Sequence, residues 1–195
     1  MPIVKAAAKL PTTFTFARAT KLGMSRRALQ AMLDSGEIER RARGLYALTH
    51  AIGDDPELAA IALLAPKATI CLTSALARHD LIDAIPGSID IALPRGTRLP
   101  KTSMPVTWHR FAETTFEIGR STIKTDGHSI GLYDPMRSIV DSFRLRHREG
   151  HEQGLEALRA WLRKRGSQPA RLLEMAHAID PRTEAVLRRT LEILL

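Results

Sequence analysis

Between Phe14 and Leu48 the apolar period changes partway along, and that change constrains the fold more than any other feature of the chain. Phe16, Ala19 and Leu22 recur at helical spacing, and so do Ala28, Leu29, Met32 and Leu33. Gly23 separates the two sets and permits a tight turn. Thr15 and Ser25 stand one residue before each helix, where a hydroxyl accepts from an unpaired amide of the first turn. Gly36 is placed to end the second helix in a left-handed conformation near Ser35. Glu37–Arg41 and Leu45–Leu48 then read as two short strands turning at Ala42-Arg43-Gly44. A further helix is expected over Ile3–Leu10, stopped by Pro11. Helix, helix, turn, helix and hairpin is the order of a winged helix-turn-helix.

Charge follows the same division. Residues 1–50 hold nine Lys/Arg against three Asp/Glu, a net of +6, whereas residues 51–195 hold twenty against eighteen, a net of +2. A basic module that meets a polyanion, joined to a nearly balanced larger domain, accounts for that asymmetry. At 195 residues the chain has room for two small domains. We expect a DNA-binding domain over residues 1–50 and a larger one over residues 56–195, with the boundary between His50 and Asp55.

The larger part is punctuated by Asp55-Pro56, Asp134-Pro135 and Asp180-Pro181. Asp suits a helix N-cap and Pro the first helical position, so each pair is expected to open a helix. The first of these helices spans Pro56–Leu64, and Thr73 is expected to cap another that runs through His79. Ser88–Pro94, Pro105–Phe111, Ser121–Thr125 and Ser129–Tyr133 are short β-like runs. From Pro135 onward the pattern is helical, interrupted at Gly150, at 166–169 and at Asp180-Pro181. The expected class is α+β: an N-terminal winged helix-turn-helix followed by a larger mixed α/β domain with a helical C-terminal part.

With the Ala28/Leu29/Met32/Leu33 stripe on the core, Arg26, Arg27 and Gln30 share the opposite face of the helix start. A recognition helix presents base-reading side chains there. Arg pairs bidentately with guanine and Gln with adenine, and the helix N-terminus at Ser25 favours phosphate. Arg40, Arg41 and Arg43 crowd the hairpin tip, a wing placed to track phosphates or enter the minor groove, while Arg18 and Lys21 on the preceding helix are candidate backbone contacts. The candidate DNA-binding set is therefore Arg18, Lys21, Ser25, Arg26, Arg27, Gln30, Arg40, Arg41 and Arg43.

The run "FARATKLGMSRRALQAMLDSGEIERRARGLYAL" resembles the N-terminal region of AbiEi-type antitoxins, the transcriptional-repressor half of type IV abortive-infection toxin–antitoxin pairs. "LTSALARHDLID" (Leu72–Asp83) and "DPMRSIVDSFR" (Asp134–Arg144) resemble two further segments of that family, so the likeness extends from about Phe14 to about Arg148. The C-terminal helices carry no motif that extends it. The resemblance implies a cytoplasmic bacterial antitoxin that binds double-stranded operator DNA and represses its own operon. It also implies neutralisation of a cognate nucleotidyltransferase toxin without a stable direct complex. The alternative reading is a ligand-responsive winged-helix regulator, and a third is a nuclease-like enzyme with a DNA-targeting head.

Other chemistry is sparse. His79-Asp80 and Asp141 are weak catalytic candidates, since Asp141 beside Arg137 or Arg144 reads as a local ion pair. Asp90 lies on a β-like run as in restriction-type nucleases, but Glu117 and Lys124 are seven apart and form no Glu-x-Lys. His147 and His151 are interrupted by Gly150, and Cys71 is the chain's single cysteine, which fits a reducing compartment. Arg159, Arg163, Lys164 and Arg165 read either as a solvated helix face, the commoner case, or as an extension of the DNA footprint. No phosphate loop, nucleophile elbow or HExxH is present. We therefore expect no enzyme activity, no metal, no cofactor and no membrane association.

Overall fold

The computed structural model describes residues 10–49, 55–147 and 151–195, the His151 side chain excepted. The helix expected over Ile3–Leu10 lies outside the described residues except for Leu10, and so does most of the expected boundary at 50–54. The architecture is mixed α+β, with eight α-helices and two sheets among the described residues. The chain forms two compact units. Among the described residues the first comprises 10–49, 55–68, 98–104 and 123–130, and the second 69–97, 105–122, 131–147 and 151–195.

In the first unit, strand β1 (Thr13–Thr15) leads directly into helix α1 (Phe16–Lys21). Helix α2 (Arg26–Asp34) follows, then strands β2 (Ile38–Ala42) and β3 (Leu45–Leu48). The strands make an antiparallel sheet in the order β1-β3-β2. Both expected caps form: Thr15 Oγ1 accepts from Arg18 N at 3.2 Å, and Ser25 Oγ from Ala28 N at 3.1 Å. Past the end of α2, Gly36 has φ +75°. Glu37 N donates to the Met32 carbonyl at 3.0 Å and Gly36 N to that of Leu33 at 3.2 Å, the paired bonds of a Schellman stop. The helical stripe works as expected, with Ala28, Leu29 and Met32 buried beside Phe14, Ala19, Ile38 and Tyr46. Helix α3 (Pro56–Leu64) also belongs to this unit; Glu57 in its first turn apart, it is apolar all round and buries 58 to 62 in succession.

Strand β1 was not legible as a strand. Three residues carry little local signal, and what fixes them is pairing thirty residues away, Thr13 with Ala47 and Thr15 with Leu45.

The second sheet has the order β6-β5-β4-β8-β7. Its strands are β4 (Thr69–Ile70), β5 (Ile89–Pro94), β6 (Val106–Phe111), β7 (Arg120–Thr125) and β8 (His128–Tyr133). Strand β4 runs antiparallel to β5 and parallel to β8, and β5 runs parallel to β6. Four of the five strands match the β-like runs of the sequence to within a residue, while the two-residue β4 had no pattern of its own to read.

Helices α4 (Leu72–Arg78), α5 (Pro135–Arg144), α6 (His151–Arg163), α7 (Pro169–Ile179) and α8 (Pro181–Leu194) complete the chain. They pack Leu76, Ile139, Phe143, Leu158, Leu172 and Leu187 into one core. All three Asp-Pro pairs open helices: Asp55 accepts from Leu58 N at 3.1 Å, Asp134 from Arg137 N at 2.7 Å and Asp180 from Arg182 N at 3.2 Å. The cap expected at Thr73 does not form. Helix α4 begins at Leu72, two residues earlier than a cap at Thr73 requires, and Cys71 at its N-cap makes no side-chain capping bond.

Candidate nucleic-acid interface

The surface of the first unit is built by the turn between α1 and α2 and by the β2–β3 hairpin. Capping by Ser25 leaves Arg26 and Arg27 in the first turn of α2, both exposed. The two diverge from there. The Arg26 guanidinium lies 5.5 Å from the centre of the Phe16 ring, a cation–π contact that holds the long side chain at the start of α1. It thereby lines a groove of about 330 Å³ between α2 and the hairpin. Gln30, Arg40, Arg43 and Tyr46 line the same groove. Arg27 lies outside that lining, on the solvent face of α2. Phe16 and Tyr46, neither of them in the candidate DNA-binding set, thus also wall the groove. Tyr46 is fixed there by stacking on Phe14 at 5.9 Å between ring centres.

Gln30 is not an unencumbered side chain. Its Nε2 donates to Asp34 Oδ1 at 2.8 Å, one helical turn on. Arg18 and Lys21 are exposed on α1, outside the groove lining. Ser25 uses its oxygen as the cap acceptor, which leaves the hydroxyl hydrogen for an outside partner.

Arg41 departs most from its expected place at the hairpin tip. The register of β2 on β3 slips between Arg40 and Ala42, so Arg41 is a bulge residue. Its guanidinium turns to two carboxylates, Glu39 at 2.5 Å and Glu57 on α3 at 3.7 Å, and the side chain is only 22% exposed. The bulge separates Arg41 from its neighbours: Arg40 and Arg43 stay exposed and face the groove, while Arg41 is neutralised. The sequence shows three arginines within four residues but not the helix that supplies Glu57.

The second unit contains a buried charge cluster. Arg137 is fully buried; its Nε donates to Asp141 Oδ2 at 2.8 Å, and its Nη1 donates at 2.6 Å to the carbonyls of both Thr115 and Ile118. Arg144 donates to the other oxygen of Asp141 at 2.8 and 3.0 Å. The Arg137 guanidinium also lies 4.2 Å from the centre of the Tyr133 ring. Burial raises the Tyr133 hydroxyl well above the ordinary tyrosine range, against the opposing pull of Arg137, and that hydroxyl donates to the Phe116 carbonyl at 2.8 Å. Burial likewise raises Asp134, the α5 cap. Asp141 is thus an ion-pair partner with both oxygens engaged, as its spacing from Arg137 and Arg144 suggested.

His79 Nε2 lies 2.8 Å from the Tyr133 carbonyl, which makes that nitrogen a donor. Asp90 pairs with His109 on the neighbouring strand at 2.9 Å, and Glu117 sits 3.5 Å from Arg120. His147 is exposed, and its expected companion His151 has no described side chain. No group of three His, Cys, Asp or Glu placed to hold a metal occurs among the described residues. In the C-terminal basic cluster, Lys164 donates to the His79 carbonyl at 2.7 Å, while Arg159, Arg163 and Arg165 are exposed. No helix among the described residues is long and apolar enough to cross a membrane.

Comparison with curated proteins gives no match. Residues 1–49, the segment that builds the groove and carries every candidate contact residue named above, match the family described as transcriptional regulator, AbiEi antitoxin.

Proposed function

We propose that the chain is a DNA-binding antitoxin and autorepressor of a type IV toxin–antitoxin operon, with residues 1–50 acting as a winged helix-turn-helix and residues 56–195 as the antitoxin domain. The observation that carries the DNA half is the convergence of Arg26, Arg40 and Arg43, from a capped helix start and a hairpin, on one groove. None of the three is ion-paired among the described residues. The match of residues 1–49 to antitoxin regulators supports the regulatory half.

In this reading the groove takes a phosphate strand. Arg27, outside the groove, reads base edges from the major groove, because the N-terminal end of a recognition helix enters there. Gln30 reaches a base only by releasing Asp34. Arg18, Lys21 and the Ser25 hydroxyl add backbone contacts. Arg41 braces the hairpin against α3 through Glu57 and makes no phosphate contact. The partners are double-stranded operator DNA and, functionally, a cognate nucleotidyltransferase toxin that is neutralised without a stable direct complex. The setting is the cytoplasm.

Binding to the DNA immediately upstream of the chain's own reading frame tests the DNA half. Neutralising roughly 4–6 phosphates per protomer gives a log K against log[salt] slope of about −4 to −5. A slope near zero removes electrostatic DNA binding as the main mode. Co-expression with the neighbouring toxin tests the other half: the full chain is expected to restore growth, and continued arrest of growth contradicts the antitoxin reading.

A further inference from the structure

The loop over residues 98–104 follows β5 and lies some fifty residues after the hairpin, yet it belongs to the first compact unit. The β2 bulge explains how it is held. Arg41 has no register partner on β3, and its carbonyl accepts from Ser103 Oγ at 3.3 Å and Thr102 Oγ1 at 3.5 Å. Met104 is buried, and its amide donates to Thr102 Oγ1 at 3.0 Å, closing a local turn. The loop is thereby tied to the hairpin by its own side chains.

A second groove, of about 460 Å³, results. It brings together Arg43 of the hairpin and Arg98 and Lys101 of the loop, over an apolar floor that includes Leu64, Leu99 and Pro100. No acidic residue among the described residues lines it. Arg98 and Lys101 are exposed, and neither is ion-paired among the described residues. Arg43 lines this groove and the groove against α2 alike, so the two share a wall. An apolar floor supports the stems of long cationic side chains and leaves their heads in water.

We propose that the 98–104 loop is a second DNA-backbone contact, with Arg98 and Lys101 continuing past Arg43 the phosphate track that begins at Arg26. The contact lies outside residues 1–49 and makes the DNA footprint discontinuous in sequence. It rests on the DNA-binding reading above. Three cations with no carboxylate among them suit a sugar–phosphate strand, whose charge they neutralise and whose sugars meet the apolar floor. Such contacts are independent of sequence, so they hold the duplex without reading it.

The test is an anisotropy titration of the full chain on a labelled 30-base-pair DNA duplex of arbitrary sequence, across a range of KCl concentrations. For Arg98→Ala/Lys101→Ala we expect a salt slope shallower by about 2 and affinity lower by roughly 10–60-fold at 0.1 M salt. The melting temperature should be unchanged, because both side chains are exposed. Arg98→Lys/Lys101→Arg keeps the charges and should keep the wild-type slope, which separates charge from folding. Wild-type slope and affinity in the alanine variant, with Arg43→Ala still shallower, overturn the loop contact and leave the DNA reading standing. Absence of salt-dependent binding by the wild-type chain overturns both. Tighter binding to an RNA duplex of the same sequence overturns the assignment of DNA as the occupant.

Discussion

Replacing Arg137 with methionine is expected to lower the unfolding free energy by about 3–5 kcal/mol, the cost of leaving one member of a buried ion pair behind. Arg137 is fully buried and links three things at once: the α5 carboxylate of Asp141, the carbonyls of Thr115 and Ile118, and the face of Tyr133. Methionine fills much of the volume but donates nothing. Arg144 still pairs with Asp141 from the partly exposed side, while the two carbonyls lose their donor. Packing reinforces the arrangement, since a Cβ at Gly119 would fall 2.7 Å from that of Arg137. Gly119 also sits at φ +69°, in the left-handed region that favours glycine. Urea denaturation of wild type and variant measures the difference. A change below about 1 kcal/mol, the size of a surface ion pair, would show that the cluster does not organise the second unit.

The same residue shows how far the sequence could be read. Arg137, Asp141 and Arg144 stand at i, i+4 and i+7, so their pairing is legible from helical spacing alone. Their burial is not, because Phe111 comes from a strand far along the chain, and Tyr133, though only four residues before Arg137, faces it only once β8 is placed in the sheet. Capping is read well for a related reason. The bonds of Thr15, Ser25, Asp55, Asp134 and Asp180 reach only two or three residues ahead, within the range where composition determines geometry. Strands β1 and β4 owe their existence to distant partners and left no local trace.

The candidate site divides along the same line. The helix start and its arginines are local features. The bulge at Arg41, its capture by Glu57 and the docking of residues 98–104 on its carbonyl depend on segments that no window around the hairpin contains. Arg27 and Arg26 are adjacent in sequence and look equivalent there. The Phe16 ring separates them by drawing Arg26 into the groove.

That separation sets the second large effect. Arg27→Ala should reduce affinity for the operator by about 1–3 kcal/mol, the discrimination contributed by one base-reading arginine, and leave binding to unrelated duplex nearly unchanged. Arg43→Ala should weaken operator and unrelated duplex by the same factor and make the salt slope shallower by about one. Both side chains are exposed, so neither change is expected to disturb the fold. The contrast comes from position: one side chain projects from the solvent face of the α2 start, and the other lines both grooves at the hairpin tip.

The most direct measurement is therefore a set of paired titrations of wild type, Arg27→Ala and Arg43→Ala on the upstream operator and on a scrambled duplex, at several salt concentrations. The account predicts that Arg27→Ala collapses the operator-to-scrambled ratio at a nearly constant salt slope, and that Arg43→Ala preserves the ratio while reducing the slope. A ratio left intact by Arg27→Ala and abolished by Arg43→Ala would contradict it, because the hairpin would then be the reader and α2 would not be the recognition helix.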